Sequence, residues 1–362
     1  MEKRSNEKIV IVGGGLSGLS LAYFLAKNNI RTSVFEASSR LGGRIQTTRG
    51  VLGTPLELGA TWFYDMHRQL NALIEELGLI KYPQYAKGIS LFQTDPNDPP
   101  QRFFVPESDQ NSYRLAGGTQ TLIDSLVKEI PADTFFLNTK LTHIRNDGSQ
   151  IQLETSNGII FEAAKVIICM PPQLISKQII FTPDLPAAIN TLLPAVQTWM
   201  GGSVKFTLEY ETPFWRKNGF SGMVYSHTGI ISEMYDHTNY EEDKFGFTGF
   251  LNPGSAYLSS AARKEQVLHE LKSLLSVEAT TPTAFYDKVW TDEFILDGSP
   301  IITRPHQNNG HPLLQQAYMD GKLYFAATET ANDYPGYMEG AVAAANAVAN
   351  KLTRNISSKK DL

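Results

Sequence analysis

The chain has 362 residues, 42% of them hydrophobic and 10% aromatic, with one cysteine and a formal net charge of −5. That length predicts about two domains with real apolar cores, and the composition argues against intrinsic disorder. A single cysteine excludes an intrachain disulfide framework and any zinc site built from two or more cysteines, and it fits a reducing compartment. The 32 basic and 37 acidic side chains are mixed along the chain, so the basic footprint of a nucleic-acid binder is missing. Residues 1–7 (MEKRSNE) are polar and lead into a short apolar run, unlike a signal peptide. No run approaches the ~20 apolar residues of a membrane helix, and a cytoplasmic protein is expected.

Residues 8–12 (KIVIV) form an apolar, β-branched run that stops at a glycine cluster, as a buried parallel strand does. Residues 16–27 carry apolar side chains at helical spacing, and 31–35 (RTSVF) read as a second strand. Together they predict a βαβ unit and a parallel sheet covered by helices. Residues 66–78 predict an amphipathic helix with a glycine stop. The stretch 82–112 is rich in Pro, Asp, Asn and Gln and reads as loops with a short hairpin. Another helix is expected over 119–129. Residues 141–171 read as a β-meander turning at Asp147-Gly148 and Asn157-Gly158 and ending in the apolar strand 166–170.

Residues 202–210 and 245–251 predict strands of a different sheet, 262–275 a helix, 322–326 one more apolar strand, and 340–352 an alanine-rich helix. The expected fold class is α/β. A Rossmann-like nucleotide-binding domain, with a parallel sheet and the β-meander, is assembled from 6–81, 113–191 and 293–355. A second, α+β unit with an antiparallel sheet is inserted as 82–112 and 192–292.

Chemistry first surfaces at the glycine cluster. Gly13, Gly15 and Gly18 form G-x-G-x-x-G between strand and helix, with Leu16 and Ser17 opening the helix. Such a turn lets a pyrophosphate approach the backbone and meet the free N–H groups of the helix start. Glu36, at the end of the second strand, suits the ribose hydroxyls and disfavours a 2′-phosphate. Glycine clusters also serve as plain turns, but strand, helix and Glu36 stand here in register. The spacing leaves NAD and FAD both open. The next segment, Arg40-Leu41-Gly42-Gly43-Arg44, suits a loop wrapping the pyrophosphate of an extended FAD, beside the bland reading of a solvated basic turn.

Taken together, these segments resemble the flavin-containing monoamine oxidase family. The likeness covers the strand and GGG-x-SG start, then Glu36-Ala37 through Arg44, and a loop Gly59-Ala60-Thr61-Trp62 of the kind that runs along the flavin. It continues in Thr328-Glu329 and Gly336-Tyr337-Met338, like the family's C-terminal flavin motif. The helix beginning near Met338 would aim its N–H groups at the flavin C2 carbonyl. Leu141 resembles the position whose backbone meets the adenine. Gly202-Ser203-Val204-Lys205, with Pro213-Phe214-Trp215 beyond, resembles the segment carrying the family's active-site lysine.

The resemblance implies FAD and a small amine substrate. The C–N bond would be oxidised to an imine by hydride transfer to flavin N5, with O2 returning the flavin to its oxidised state and yielding H2O2. It gives Lys205 a water at flavin N5, against the plain alternative of a lysine snorkelling to the surface. Tyr337 becomes one wall of an aromatic cage, and Trp290 stands like a tryptophan shortly before the covalent-attachment site. Ser299 occupies the place where covalently flavinylated members have cysteine, which implies non-covalent FAD. Pro300 occupies the place of the second cage tyrosine, and Ala327 replaces a glycine.

The family's long helical insertion has no counterpart between Gln93 and Tyr113. The site is therefore expected to be open to bulky substrates, or covered by a second subunit in a homo-oligomer. No metal is expected. The other functions considered are oxidation of C–C bonds on the same scaffold, as by protoporphyrinogen oxidase or phytoene desaturase, and a flavin-binding module with little turnover.

Overall fold

The computed structural model describes residues 8–95, 97–105, 111–291 and 304–358. Its central feature is a five-stranded sheet in the order Phe135–Phe136, Thr32–Phe35, Ile9–Val12, Lys165–Ile168, Leu323–Phe325. Every neighbouring pair is parallel. The strands are apolar runs because both faces are covered. Ile9 and Ile11 pack with helices Leu16–Lys27 and Met338–Ser358 on one side, while Val10 and Val12 face a second core on the other.

The strand over 166–170 was expected to close the meander, but it does not belong there. Lys165–Ile168 leaves it and pairs with Ile9–Val12 and Leu323–Phe325, because its consecutive apolar side chains can be buried on both faces only in the parallel sheet. The meander itself is Leu141–Asn146, Ile151–Thr155 and Ile160–Ala163, antiparallel, with Ile180–Thr182 added in parallel at its other edge.

A seven-stranded sheet runs Ala284–Val289, Val204–Tyr210, Phe245–Leu251, Ile231–Asp236, Phe220–Ser226, Ile89–Gln93, Gln101–Phe104. It is antiparallel except where Ile89–Gln93 lies parallel to Phe220–Ser226. Helix Ser260–Leu274 closes a third core against it through Val267, Leu271 and Leu274. The hairpin expected within 82–112 is present as Ile89–Gln93 and Gln101–Phe104, and it extends this sheet. Strands Phe220–Ser226 (FSGMVYS), Ile231–Asp236 (ISEMYD) and Ala284–Val289 (AFYDKV) escape a sequence reading, since their polar and small residues make no apolar run. Among the described residues no helix is long and apolar enough to cross a membrane.

Candidate active site

The order of the parallel sheet reverses at Ile9–Val12, and the chain leaves that strand and Lys165–Ile168 at the same end. A crevice outside the carboxyl ends of strands at such a reversal is where doubly wound sheets take ligands. A narrow cleft of about 160 Å³ lies there, between Gly13, Gly15 and Ser17 on one side and Cys169, Met170 and Pro171 on the other. Close backbone packing shapes it. A Cβ on Gly18 would stand 2.0 Å from the Gly13 carbonyl, so only glycine lets the helix sit on the strand. The Gly42–Gly43 loop packs directly on the Gly14–Gly15 backbone, where a Cβ on Gly43 would come 3.2 Å from the Gly15 Cα.

Glu36 is buried and accepts from the Gly14 N–H (2.7 Å), the Ser38 N–H (2.8 Å) and the Ser38 hydroxyl (2.7 Å). A carboxylate has about four acceptor sites, so one remains for a ribose hydroxyl. The Arg40 guanidinium donates to the carbonyls of Gly43 (2.5 Å) and Ile45 (2.9 Å), which holds the loop in shape. The Thr328 hydroxyl accepts from the Gly336 N–H (2.9 Å) and donates to the Tyr337 carbonyl (2.7 Å). That turn places the start of helix Met338–Ser358, with its partial positive charge, against the cleft.

A larger chamber of about 530 Å³ adjoins the cleft, and Arg44, Ala60, Gly336, Tyr337 and Met338 line both. One wall is the loop Gly59-Ala60-Thr61-Trp62; the opposite wall belongs to the seven-stranded sheet, with Lys205, Tyr225, Glu233, Tyr235 and Phe250. Tyr337 lies beside two further rings. Its plane is within 10° of the His306 ring (centroids 5.7 Å apart), and His306 stacks on Trp199 at 4.4 Å.

Lys205 is 1% exposed. Its Nζ donates to the Gly59 carbonyl (2.5 Å) and to the Thr61 hydroxyl, and stands 5.0 Å over the Trp62 ring and 5.3 Å over Phe250. Burial pulls its pKa down to about 7, against the opposing pull of the Glu57 carboxylate. Glu57 is buried too and accepts from the Thr119 N–H (2.5 Å) and the Thr47 hydroxyl (3.0 Å); desolvation raises its pKa although Lys205 opposes the shift.

Deeper in, burial holds His237 well below the usual imidazole range, and the Arg114 guanidinium lies 2.7 Å from its Nδ1. Arginine can only donate, so Nδ1 is the acceptor and the proton sits on Nε2.

Most residues singled out from the sequence meet here. Gly13, Gly15, Leu16, Ser17, Glu36, Arg40, Gly43, Arg44, Ala60, Thr328, Gly336 and Met338 line the cleft; Gly59, Thr61, Trp62, Lys205 and Trp290 line the chamber, and Tyr337 lines both. Gly18, Ala37, Leu141 and Glu329 do not line either space. Gly18 packs helix on strand, and Leu141 is buried in the second core. Glu329 lies behind the wall, fully buried, and its Oε1 is 2.8 Å from Arg44 Nη1. Ser299 and Pro300 lie outside the described residues.

The sequence reading missed Cys169 as a cleft residue, Trp199, and the group Tyr225, Glu233 and Tyr235. The last three stand on strands that no apolar run announced.

A dinucleotide fits these residues. The glycine-walled cleft leaves room where side chains would stand, and Glu36 keeps an acceptor free. The model of the flavin containing amine oxidoreductase family matches residues 16–97 and 98–353. The chain belongs to this family.

A probable flavin-containing monoamine oxidase A from Dictyostelium discoideum is 25% identical over 457 aligned positions, covering 97% of this chain and 98% of the relative. Flavin-containing amine oxidase B from Sus scrofa is 26% identical over 450 positions, covering 95% and 85%. Both alignments are longer than the chain itself, so the relatives carry segments that it lacks. The family match is interrupted between residues 97 and 98, which fall between strands Ile89–Gln93 and Gln101–Phe104.

Among solved structures, wild-type putrescine oxidase bound to putrescine superposes with a TM-score of 0.82 at 21% identity, covering 96% of this chain and 99% of the other. Cyclohexylamine oxidase from Brevibacterium oxydans superposes at 0.83 with the same identity and coverage. At that identity the likeness is one of fold.

Proposed function

We propose that this protein is an oxidase of small amines that binds FAD non-covalently and uses O2 as electron acceptor. The observation that carries the reading is Lys205, a fully buried lysine in the wall of a chamber that opens directly onto a dinucleotide cleft. FAD, when bound, would supply the redox chemistry by which the C–N bond of an amine is oxidised to an imine, with O2 as electron acceptor and H2O2 as product.

The protein's part is binding, orientation and electrostatics. Glu36, the Gly13–Gly18 turn and the Gly42–Gly43 loop are placed to hold the adenosine and pyrophosphate, and the start of helix Met338–Ser358 faces the position of the ring. The ring of Tyr337, at the junction of cleft and chamber, steers an amine nitrogen from one into the other. A Lys205 ammonium has three protons, two of them taken by Gly59 and Thr61. The third is left for a water or for dioxygen in the chamber, where charge in a low-dielectric wall acts strongly.

The test is anaerobic mixing of the yellow holoenzyme with a panel of aliphatic and aryl amines, followed by peroxide detection in air. Bleaching of the visible flavin band and stoichiometric H2O2 are expected. A flavin that no amine bleaches, but that a polyene or porphyrinogen does, moves the protein to C–C oxidation. Acid precipitation is expected to release the flavin, and colour left in the pellet would show a covalent link.

A further inference from the structure

One short loop makes most of the surroundings of Lys205. Gly59 and Thr61 accept two of its protons, and the Trp62 ring stands 5.0 Å from its Nζ. The near end of that loop is fastened several times over. The Leu58 and Gly59 N–H groups donate to the Gln46 carbonyl, and the Ala60 N–H donates to that of Arg44 (3.0 Å). The Trp290 indole donates to the Leu58 carbonyl (2.7 Å). The far end carries the Trp62 indole, and a side chain holds that ring: its Nε1 donates to Gln84 Oε1 at 2.8 Å.

Gln84 is well placed to hold it. It follows strand Lys81–Pro83, and its own N–H donates to the Ser112 carbonyl (2.8 Å). Its Nε2 donates to the carbonyls of Asp236 (2.7 Å) and Tyr85 (3.1 Å). An indole can only donate and a carbonyl can only accept, so the amide has one workable orientation. Asp236 is fixed in turn, since its buried carboxylate accepts from the Trp215 indole (2.7 Å) and from Arg216 Nε (2.7 Å). Gln84 thereby ties the loop to strand Ile231–Asp236, whose Tyr235 ring meets Trp62 edge to face with centroids 4.8 Å apart.

Gln84 lines neither cleft nor chamber, whereas Trp62 and Lys205 line the chamber together. The hydrogen bond fixes the tilt of the indole, and the tilt sets which part of its π face the ammonium meets. We infer that Gln84 is a positioning residue: through the Trp62 indole it holds the loop in the shape that presents Lys205 to the chamber. It touches neither the chamber nor the cleft and acts only through Trp62. Its effect on flavin reoxidation rests on the oxidase reading above; its hold on Trp62 does not.

The experiment joins magnetic resonance to kinetics on the holoenzyme. The chain has four tryptophans, so isotope labelling of tryptophan nitrogen gives four indole N–H signals, and the one missing from Trp62→Phe belongs to Trp62. Gln84→Met keeps the length of the side chain and removes its hydrogen bonds. It is expected to shift the Trp62 signal and to speed its solvent exchange by about fivefold, the range of one lost hydrogen bond, while the Trp290 signal keeps its place. Gln84→Asn, too short to reach both partners, is expected to act in the same way and serves if Gln84→Met does not fold. Reoxidation of photoreduced enzyme by O2 is then compared in wild type, Gln84→Met, Trp62→Phe and the double variant. Gln84→Met is expected to slow it by about threefold or more, and to add nothing on the Trp62→Phe background, which has no indole N–H to hold.

A Trp62 signal unmoved in Q84M overturns the inference. So does slowing of equal size with and without the indole, which marks a merely structural role, or an unchanged rate in Q84M while Lys205→Met is slow. If Lys205→Met reoxidises like wild type, the oxygen role in the reading above fails, and the indole signal alone decides whether Gln84 holds Trp62.

Discussion

Arg44 and Glu329 form an ion pair of 2.8 Å that joins the first loop of the chain to its last flavin motif. Arg44 lines both cleft and chamber, and Glu329 sits fully buried behind it. Glu329 is fully buried but Arg44 keeps a quarter of its side chain exposed, so losing the pair forfeits a charge-assisted contact worth about 1.5–3 kcal/mol. Glu329→Ala is therefore expected to lower the melting temperature markedly and to weaken FAD binding, because the freed guanidinium relaxes into the cleft. Scanning calorimetry of apo- and holoprotein checks the first effect and flavin fluorescence titration the second; a melting curve like that of wild type would remove the pair from the stabilising framework.

Lys205 supplies a pH dependence with a definite sign. Its pKa is lowered to about 7 from the ordinary value of 10.5 by burial. Reoxidation of photoreduced enzyme by O2 is expected to speed up as pH falls through about 7, since the ammonium stabilises negative charge developing on oxygen. Lys205→Met should slow the reaction by tenfold or more, on the order of one lost electrostatic contact, and flatten the profile.

Stability follows the linkage. Between about 7 and 10.5 the unfolded chain binds more protons at this site than the folded one, so this lysine's contribution makes folding more favourable as pH rises through that window. The melting temperature of wild type is expected to rise relative to that of Lys205→Met over the same range. A constant difference would contradict a lowered lysine pKa.

Two glycines of the fingerprint should separate cleanly. A Cβ on Gly18 would press to 2.0 Å against the Gly13 carbonyl, backbone against backbone, so Gly18→Ala is expected to destabilise the apoprotein by about 1–3 kcal/mol. A Cβ on Gly15 meets nothing closer than 3.8 Å, and its φ of −79° suits alanine. Gly15→Ala should leave the melting temperature of the apoprotein nearly unchanged and weaken FAD binding, as read by chemical denaturation and by flavin titration.

Cys169 lines the cleft, and burial pushes its thiol up to about 12, with only a hydrogen bond involving Ser17 in opposition. The thiolate is the reactive form, and a raised pKa leaves little of it at pH 8. Folded protein is expected to resist iodoacetamide at pH 8 and to react once unfolded in guanidinium. Rapid alkylation of the native apoprotein would show that the thiol is less shielded than its surroundings imply.

The cofactor half of the site was legible because its chemistry is built from neighbours in sequence. A glycine turn between strand and helix, an acid at the next strand end and a looped LGGR each work through local backbone geometry, and the residues between Gly13 and Arg44 write it out in order. The same holds for Gly336 to Met338, where a turn leads into a helix start. The substrate half works the other way. Tyr225, Glu233 and Tyr235 come together by strand pairing and a register shift, and nothing in FSGMVYS or ISEMYD sets those residues apart.

The sequence by itself determined the βαβ start, the dinucleotide fingerprint and Lys205 as the residue to watch. The single cysteine, which first served only to exclude disulfides and cysteine-rich zinc sites, needed the tertiary structure to give it a place beside Gly13. Only that structure moved Lys165–Ile168 from the meander into the parallel sheet, because two-sided burial depends on what covers the sheet and not on the strand alone. It alone set Tyr225, Glu233 and Tyr235 in the chamber wall, since a cavity wall is made by packing between distant segments and leaves no periodic mark in any one of them.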